Sequence, residues 1–216
     1  MNETSQDWAS RTEQQVLDAA IALAPSEGWT AKMATMAGAA YGLSAGETDL
    51  LLPRGPADLA ALLSRRHDAQ ALAALAGTDP ASLKVRERIA RAVAARLDAA
   101  LADGPAEQRL AGFLALPPHL PLAARLAWES ADVLWRWAGD TATDENHYSK
   151  RGLLAGILTG ALAIALSSGR EAALAFVDRR IADVMAFEKW KATTRFRPSE
   201  FAAKVAAALG QAKYGR

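Results

Sequence analysis

Residues 150–169, KRGLLAGILTGALAIALSSG, contain the feature that most constrains the fold of this chain. From Gly152 to Leu166 the run carries no charge, and its one polar side chain is that of Thr159. As a helix, a run of this length covers roughly 22 Å, which is shorter than the ~30 Å hydrocarbon layer of a bilayer. We therefore expect a helix buried in a bundle rather than a membrane span.

The rest of the chain also favours helices. Apolar residues make up 51% of the 216 residues and charged residues 23%, which is enough to build one sizeable core. Apolar residues recur with helical spacing, no stretch alternates as strands do, and proline and glycine divide the chain. We predict an all-α fold of about nine or ten helices. Their approximate ranges are 11–26, 31–41, 44–52, 56–76, 80–102, 105–116, 121–138, the helix with the uncharged run, which ends near 167, 170–192, and a last helix that starts at Pro198.

Charge and cysteine content exclude several classes of function. The formal net charge is +1, so the chain has no general attraction to nucleic acid or to acidic membranes. It contains no cysteine, which excludes disulfides and thiolate chemistry. The first residues, MNETSQDWASRTEQQ, are polar and lack the apolar stretch of a secretory signal, so we expect a cytoplasmic location.

Residues 16–63 are similar in helix spacing to the helix-turn-helix head of a TetR-type repressor. A recognition helix needs basic or amide side chains for base edges and phosphates. Here the segment from Ser44 to Leu52 offers Glu47 and Asp49 and no base, while the preceding helix contributes only Lys32. We expect this head to act as a scaffold, and DNA as a partner is not expected.

The sequence contains no recognisable catalytic or metal-binding pattern. Its three histidines, His67, His119 and His147, lack the paired Glu-x-x-His spacing of a helical di-iron site. Phosphate-binding loops, nucleophile elbows and dinucleotide fingerprints are also missing. We therefore predict a protein without catalytic residues, metal or cofactor.

Residues 126–152 form an unusual aromatic corner. On a helical wheel Glu129, Asp132 and Arg136 share a solvent-facing side, and Trp128 and Trp135 lie at its margin. Half-buried tryptophans at such a margin are common in ordinary cores. They are equally typical of docking surfaces, where aromatic and arginine side chains dominate the binding energy.

The block from Leu114 to Thr193 resembles the ubiquinone-biosynthesis accessory family called Coq-nine, whose members have a TetR-like fold. The residues that carry the resemblance are LPPHLP (116–121), Trp135 with AGD (138–140), TDENHYSKR (143–151), LLAGI (153–157) and FVDRRIADVM (176–185), with GWTA (28–31) and YGLS (41–44) near the start. The resemblance implies binding of isoprenoid lipids and presentation of quinone precursors to a di-iron hydroxylase, without catalysis by the accessory protein itself.

The resemblance also implies a partner-docking patch. Carried over by position, its residues are Asp132, Leu134, Trp135, His147, Tyr148 and Arg151. His147 departs from the family, which commonly has a bulky aromatic residue, usually tryptophan, at this position.

Three readings remain open for the glycines spaced four apart at Gly152, Gly156 and Gly160. They permit a neighbouring helix to approach closely, they lie against a symmetry mate in a homodimer, or they leave a channel for a prenyl tail. In the last reading the polar ring faces outward. The residues expected to contact lipid are Phe113, Leu114, Leu153, Leu154, Gly156, Ile157, Leu158, Gly160, Ala161 and Phe176.

Residues 198–216 form the last predicted element, an amphipathic helix. Phe201, Val205 and Leu209 share one face of it, and the resemblance implies that this face contacts a membrane. Docking of the same face against the bundle is an equal alternative. The predicted domains are a head at 1–55, a lipid-binding and dimerisation domain at 56–197, and this tail.

The sequence therefore predicts a non-catalytic lipid-binding accessory protein of ubiquinone biosynthesis. We expect a homodimer of bacterial origin, cytoplasmic and peripheral to the inner membrane. The alternative is a TetR-type regulator whose apolar pocket senses a ligand.

Overall fold

A computed structural model describes residues 3–140 and 145–193, with side chains over 8–140 and 147–186. The described residues form nine α-helices and no strand, which confirms the all-α prediction. The helices are α1 (Glu3–Glu27), α2 (Ala31–Ala39), α3 (Ala45–Leu51), α4 (Pro56–Leu75), α5 (Val85–Ala102), α6 (Gly104–Leu114), α7 (Leu120–Trp137), α8 (Glu145–Ser168) and α9 (Arg170–Thr193).

Two predicted helix starts differ from the structure. The first helix begins at Glu3 rather than near residue 11. The helix predicted from residue 80 is instead a short 3₁₀ turn, Pro80–Ser82, followed by α5 from Val85. The side chain of Asp79 accepts a hydrogen bond from the backbone N–H of Ala81, which favours a tight turn over a continuous helix.

The head of the chain has its own apolar core, formed by α1, α2, α4 and α6. Trp29, Met33 and Leu59 are nearly or fully buried in it. The indole N–H of Trp29 also donates to the backbone carbonyl of Pro56 at 2.8 Å, which ties the turn before α2 to the start of α4. This core holds α4 and α6 in position, and both helices continue into the site described below.

Two short helices, α2 and α3, are joined by a turn in which Gly42 has a φ of +77°. The side chain of Thr48 packs so closely on Gly38 that a Cβ there would collide with it. The exposed side of α3 presents Glu47, Asp49 and Leu50, and the sequence from 33 to 53 contains no lysine or arginine. The arrangement is consistent with a TetR-like bundle, and a DNA-reading role for it stays without support.

The helix α8 is longer than the uncharged run, 152–166, from which its length was estimated. Its apolar stretch extends over His147–Ser168, has a mean hydropathy of 1.5, and is only 28% buried within the protein. Among the described residues this is the one straight helix long and apolar enough to cross a membrane. The uncharged run from Gly152 to Leu166 is therefore only part of a longer helix, whose length by itself does not decide between a bundle helix and a membrane span.

Residue contacts separate the described chain after Val177. The part up to Val177 contains the site described below. The predicted membrane residues Phe201, Val205 and Leu209 lie outside the described residues, and the predicted boundaries at 55 and 197 stay predictions.

Candidate functional site

A cavity of about 450 Å³ lies between α4, α5, α6, α7 and α8. Most of its wall is apolar, and the volume falls in the range of small-molecule sites. It is lined by Ser64, Arg96, Leu97, Glu107, Leu110, Ala111, Leu114, Ala115, Leu120, Ala123, Leu126, Ala127, Ser130, Leu158, Thr159, Leu162 and Ala163.

The cavity has an inner end and a mouth that differ in exposure. At the inner end Leu97, Leu110 and Leu126 are at most 4% exposed. The residues at the mouth are exposed, and they come from the corner between α6 and α7 and from α8: Ala115, Leu120, Thr159 and Ala163. An elongated ligand can therefore enter between this corner and α8.

Two of the ten residues predicted to contact lipid, Leu114 and Leu158, line the cavity. Phe113 is buried on the other side of α6, where its ring stacks on His119 with centroids 3.9 Å apart. Leu154 and Ala161 are buried, whereas Leu153 is 52% exposed. Ile157 and Phe176 are half-buried and, like the glycines, lie outside the cavity lining.

The stripe of Gly152, Gly156 and Gly160 is not part of the cavity lining. A Cβ added at Gly160 would lie 3.0 Å from Cζ of Phe176, so this glycine makes room for the phenyl ring. At Gly152 the nearest atom belongs to Trp128 at 4.0 Å, and at Gly156 no atom of the described chain lies within 4 Å. The geometry supports close packing at Gly160 and leaves the face at Gly156 open.

Beside these leucines, the inner end of the cavity has a group of polar side chains. Arg96 donates from Nε to Asp68 at 2.6 Å and from Nη2 to Ser64 at 3.4 Å. Ser130 donates to the second oxygen of Asp68 at 3.0 Å. All four side chains are buried, and the Arg96–Asp68 pair is close and hydrogen-bonded, as a buried ion pair must be.

Glu107 lies at the same inner end, next to His67. Burial raises the pKa of Glu107 to about 7, partly offset by the charge of Arg96. Burial lowers the pKa of His67 to about 4, with the charge of Arg96 acting in the same direction and Asp103 opposing it. His67 Nε2 lies 2.9 Å from Asp103, while its Nδ1 is 3.8 Å from Oε2 of Glu107.

Sequence reasoning missed this polar end, although a signal for it exists. Arg96 falls on the same helix face as Ile89, Val93 and Ala100, all of them buried. A charged residue on an otherwise apolar face indicates a buried polar contact. The pairing with Asp68 depends on two helices that are distant in sequence, so periodicity alone does not predict it.

Buried ion pairs of Arg151 lie under the aromatic corner and connect α8 to α7 and to the turn after it. Arg151 is 2% exposed and donates to Asp132 at 2.5 Å, to Asp140 at 3.0 Å and to the carbonyl of His147 at 3.2 Å. Burial acts to raise the pKa of Asp132 and of Asp140. The hydrogen bonds from Arg151 outweigh it, together with one from Arg136 to Asp132 and one from Lys150 to Asp140, and lower both pKa values.

The predicted docking patch divides into a buried support and an exposed face. Leu134 and Arg151 are buried, so they position the patch. Tyr148 is 66% exposed and lies 6.1 Å from Trp128 and 5.2 Å from His147, measured between ring centroids.

Trp135 links the two helices that form this corner, α7 and α8. Its indole N–H donates to the carbonyl of Lys150 at 3.0 Å, and the ammonium group of Lys150 lies 5.4 Å from the ring centroid. The contact joins the end of α7 to the start of α8.

Fold and site together define a class of protein: an all-α bundle with an apolar cavity, a buried polar inner end, and an aromatic surface held by ion pairs. The sequence profile of the COQ9 family matches residues 120–188, which contain α7, α8 and most of α9. Together with the similarity of 85% of the chain to curated COQ9 proteins, this match supports a relationship to the COQ9 family.

Three relatives illustrate the similarity. The chain is 26% identical over 194 residues to the mitochondrial ubiquinone biosynthesis protein COQ9 of Bos taurus, covering 85% of this chain and 61% of the relative. It is 29% identical over 202 residues to COQ9-B of Xenopus laevis, covering 85% and 66%. It is 24% identical over 196 residues to the human protein, covering 85% and 61%. The chain thus spans somewhat under two thirds of the length of these relatives.

Proposed function

We propose that the chain is a non-catalytic accessory protein of ubiquinone biosynthesis, which binds an isoprenoid precursor and supplies it to a di-iron quinone hydroxylase. The single observation that carries this proposal is the cavity of about 450 Å³ between α4 and α8. The relatives named as ubiquinone biosynthesis proteins support the assignment to this pathway.

The energetics favour a carrier. Each five-carbon isoprene unit gains roughly 3–4 kcal/mol when it leaves water, at ~0.8 kcal/mol per methylene-sized group. A long-tailed precursor therefore stays in the bilayer unless an apolar cavity replaces it. At ~30 Å³ per water-sized group the cavity holds roughly fifteen such groups, equivalent to about three isoprene units, so a longer tail extends through the mouth.

The surroundings of the mouth favour a position at a membrane surface. Leu116 and Leu120, at the corner before and at the start of α7, are 52% and 53% exposed. The apolar stretch of α8 on the opposite side of the mouth is mostly unburied. A peripheral protein with this side against the bilayer would let a prenyl tail pass from hydrocarbon to cavity without crossing water.

The aromatic corner is the proposed hydroxylase-docking surface. Tyr148 supplies an exposed aromatic side chain, with Trp128 and His147 beside it. Arg151 forms ion pairs with Asp132 and Asp140 beneath this surface, so we expect the surface to be ordered before a partner binds. Preorganised aromatic groups of this kind are typical anchors of protein interfaces.

The open face at Gly156 is the proposed contact of a homodimer. A helix of a second copy can approach α8 closely there, because the glycine has no side chain and no described residue covers it. Regulation of transcription has less support, because α3 presents two carboxylates and no basic side chain to solvent.

Two substitutions of α7 alanines by phenylalanine test the carrier function. Ala127 lines the cavity, whereas Ala124, three residues earlier, is exposed and lies outside it. Mass spectrometry of lipids extracted from the purified protein should detect isoprenoid or phospholipid in the wild type and in Ala124→Phe, and at least tenfold less in Ala127→Phe. Equal lipid in both variants, or none in the wild type, would contradict the proposal.

A further inference from the structure

Glu107 is an unusual residue to find in the wall of an apolar cavity. Its side chain is buried, and within the described part of the chain its Oε2 atom has no hydrogen-bond partner. Nδ1 of His67 lies 3.8 Å from it, too far for a hydrogen bond, and also has no hydrogen-bond partner among the described residues. Buried polar atoms are nearly always satisfied, so an unsatisfied carboxyl in a cavity points to a ligand group that completes it.

Arg96 offers a complementary group at the same end. Its hydrogen bonds to other described residues use Nε and Nη2, which leaves further guanidinium N–H groups. The charge of Arg96 is matched by Asp68 at 2.6 Å, so this end of the cavity already contains a neutral pair. What is missing is an uncharged group that both donates and accepts.

We propose that the inner end of the cavity is a head-group site for the hydroxyl of an amphiphile, which donates a hydrogen bond to Glu107 and accepts one from Arg96. The apolar body of the ligand then lies against Leu110, Leu126 and Leu158 on the way to the mouth.

Other head groups fit less well. A carboxylate would add an anion beside Glu107 and Asp68, and an ammonium would be desolvated beside Arg96. An ether or ketone can only accept, so it satisfies the carboxyl of Glu107 only when that carboxyl is protonated. A bare hydrocarbon leaves Glu107 unsatisfied, which costs affinity because the desolvation of that group is not recovered.

The inference rests on the proposed function and changes one part of it, the orientation of the ligand. The sequence suggested a channel with the tail inside and the polar ring outward. A hydroxyl bound at Glu107 places the head inward and the tail toward the exposed mouth at Leu120 and Ala163. A tail too long for the cavity then continues into a membrane rather than into water.

Calorimetric titration of the full chain with 2-geranylphenol and with its methyl ether tests the inference at pH 8, where Glu107, with a pKa of about 7, is mostly ionised. The two probes have the same tail and ring, and the ether has no O–H to donate. We expect the wild type to bind the phenol about tenfold more tightly than the ether. Glu107→Gln should keep this preference through its amide oxygen, and Glu107→Leu should reduce it to less than threefold.

Glu129→Leu is the matched control, since Glu129 lies on α7 outside the cavity lining, and it should retain the preference. A readout that needs no variant is the ¹³C resonance of the Glu107 carboxyl, which should shift with the phenol more than with the ether. Farnesol separates two sources of the hydroxyl: binding equal to that of the phenol means that any prenyl alcohol suffices, and weaker binding means that the ring is read as well.

Equal tight binding of phenol and ether by the wild type would overturn the head-group site but leave the carrier function standing. A retained preference in folded Glu107→Leu would overturn it in the same way. Failure of both probes to bind would overturn the head-group site and the carrier function together.

Discussion

At Asp132 two arginines make similar bonds in different surroundings. Arg151 Nε lies 2.5 Å from Oδ1 and is 2% exposed, whereas Arg136 Nε lies 2.7 Å from Oδ2 and is 72% exposed. Loss of a buried partner leaves an uncompensated charge, but loss of an exposed one is compensated by water. The two positions therefore separate the effect of burial from that of the bond itself.

We expect Arg151→Met to lower the free energy of unfolding by about 3 kcal/mol, and Arg136→Met to lower it by less than about 1 kcal/mol. Urea denaturation of both variants at neutral pH measures the difference. Similar losses would show that the corner is held by packing of α7 on α8 rather than by the pair under Asp132.

Glu107 and His67 oppose each other in their effect on stability. A carboxyl whose folded-state pKa is raised from 4.5 to about 7 stabilises the fold fully below pH 4.5, and this contribution is lost as the pH rises to 7. A histidine whose pKa is lowered from 6.5 to about 4 loses its contribution as the pH falls from 6.5 to 4. Between pH 4.5 and 6.5 the two slopes cancel.

Substitution of Glu107 by glutamine should reveal the histidine slope. We expect Glu107→Gln to gain stability relative to the wild type by about 1.4 kcal/mol per pH unit between pH 4.5 and 7, roughly 3 kcal/mol in total. Denaturation curves across this range provide the measurement. Glu171→Gln, at a side chain 90% exposed, is the control that should follow the wild type. A constant difference between Glu107→Gln and wild type would exclude the raised pKa.

The helix α8 carries three glycines with different surroundings on one stripe. Alanine in a helix interior is ordinarily favoured over glycine by about 0.5–1 kcal/mol. At concentrations where the proposed homodimer is dissociated, Gly156→Ala should gain this amount, because nothing in the described chain lies within 4 Å of the new methyl group. Gly160→Ala should gain less or lose stability, because Phe176 must move away from a contact of 3.0 Å. Thermal denaturation of the two variants compares them, and equal gains would contradict the packing role of Gly160.

The sequence predicts most of the elements and fewer of their ends. Helix periodicity and the Pro-Pro corner at 117–118 place α6 and α7, because proline ends one helix and is tolerated at the start of the next. The early start of α1 and the 3₁₀ turn at Pro80 are missed. A polar first turn has no apolar periodicity, and a side-chain cap such as Asp79 competes locally with the helix.

The site is predicted only in part, because it is assembled from five helices. Leu114 and Leu158 can be predicted from the sequence, because they lie in apolar segments within the block that resembles the family. Arg96 and Glu107 are not, because their roles depend on the helix opposite each of them. A glycine spacing indicates that something approaches α8 but does not say whether this is a ring, a helix or a ligand.

On the scale of the described molecule, exposed leucines lie both at the mouth of the cavity and on the head. Leu116 is 52% exposed at this corner, and Leu50 is 83% exposed on α3 in the head. If the mouth faces the bilayer, burial of a leucine side chain there gains ~1.5–3 kcal/mol, whereas one on the head gains nothing.

We therefore expect Leu116→Asp to reduce co-sedimentation with phospholipid vesicles about tenfold, since 1.4 kcal/mol corresponds to a factor of ten in partitioning. Leu50→Asp introduces the same charge on the head and should leave co-sedimentation unchanged. An alkaline carbonate wash distinguishes the modes of attachment, because it releases a peripheral protein and leaves an inserted α8 in the vesicles. Retention after the wash would mean that the stretch His147–Ser168 enters the bilayer. The cavity would then lose one of its walls, and the carrier function could not hold.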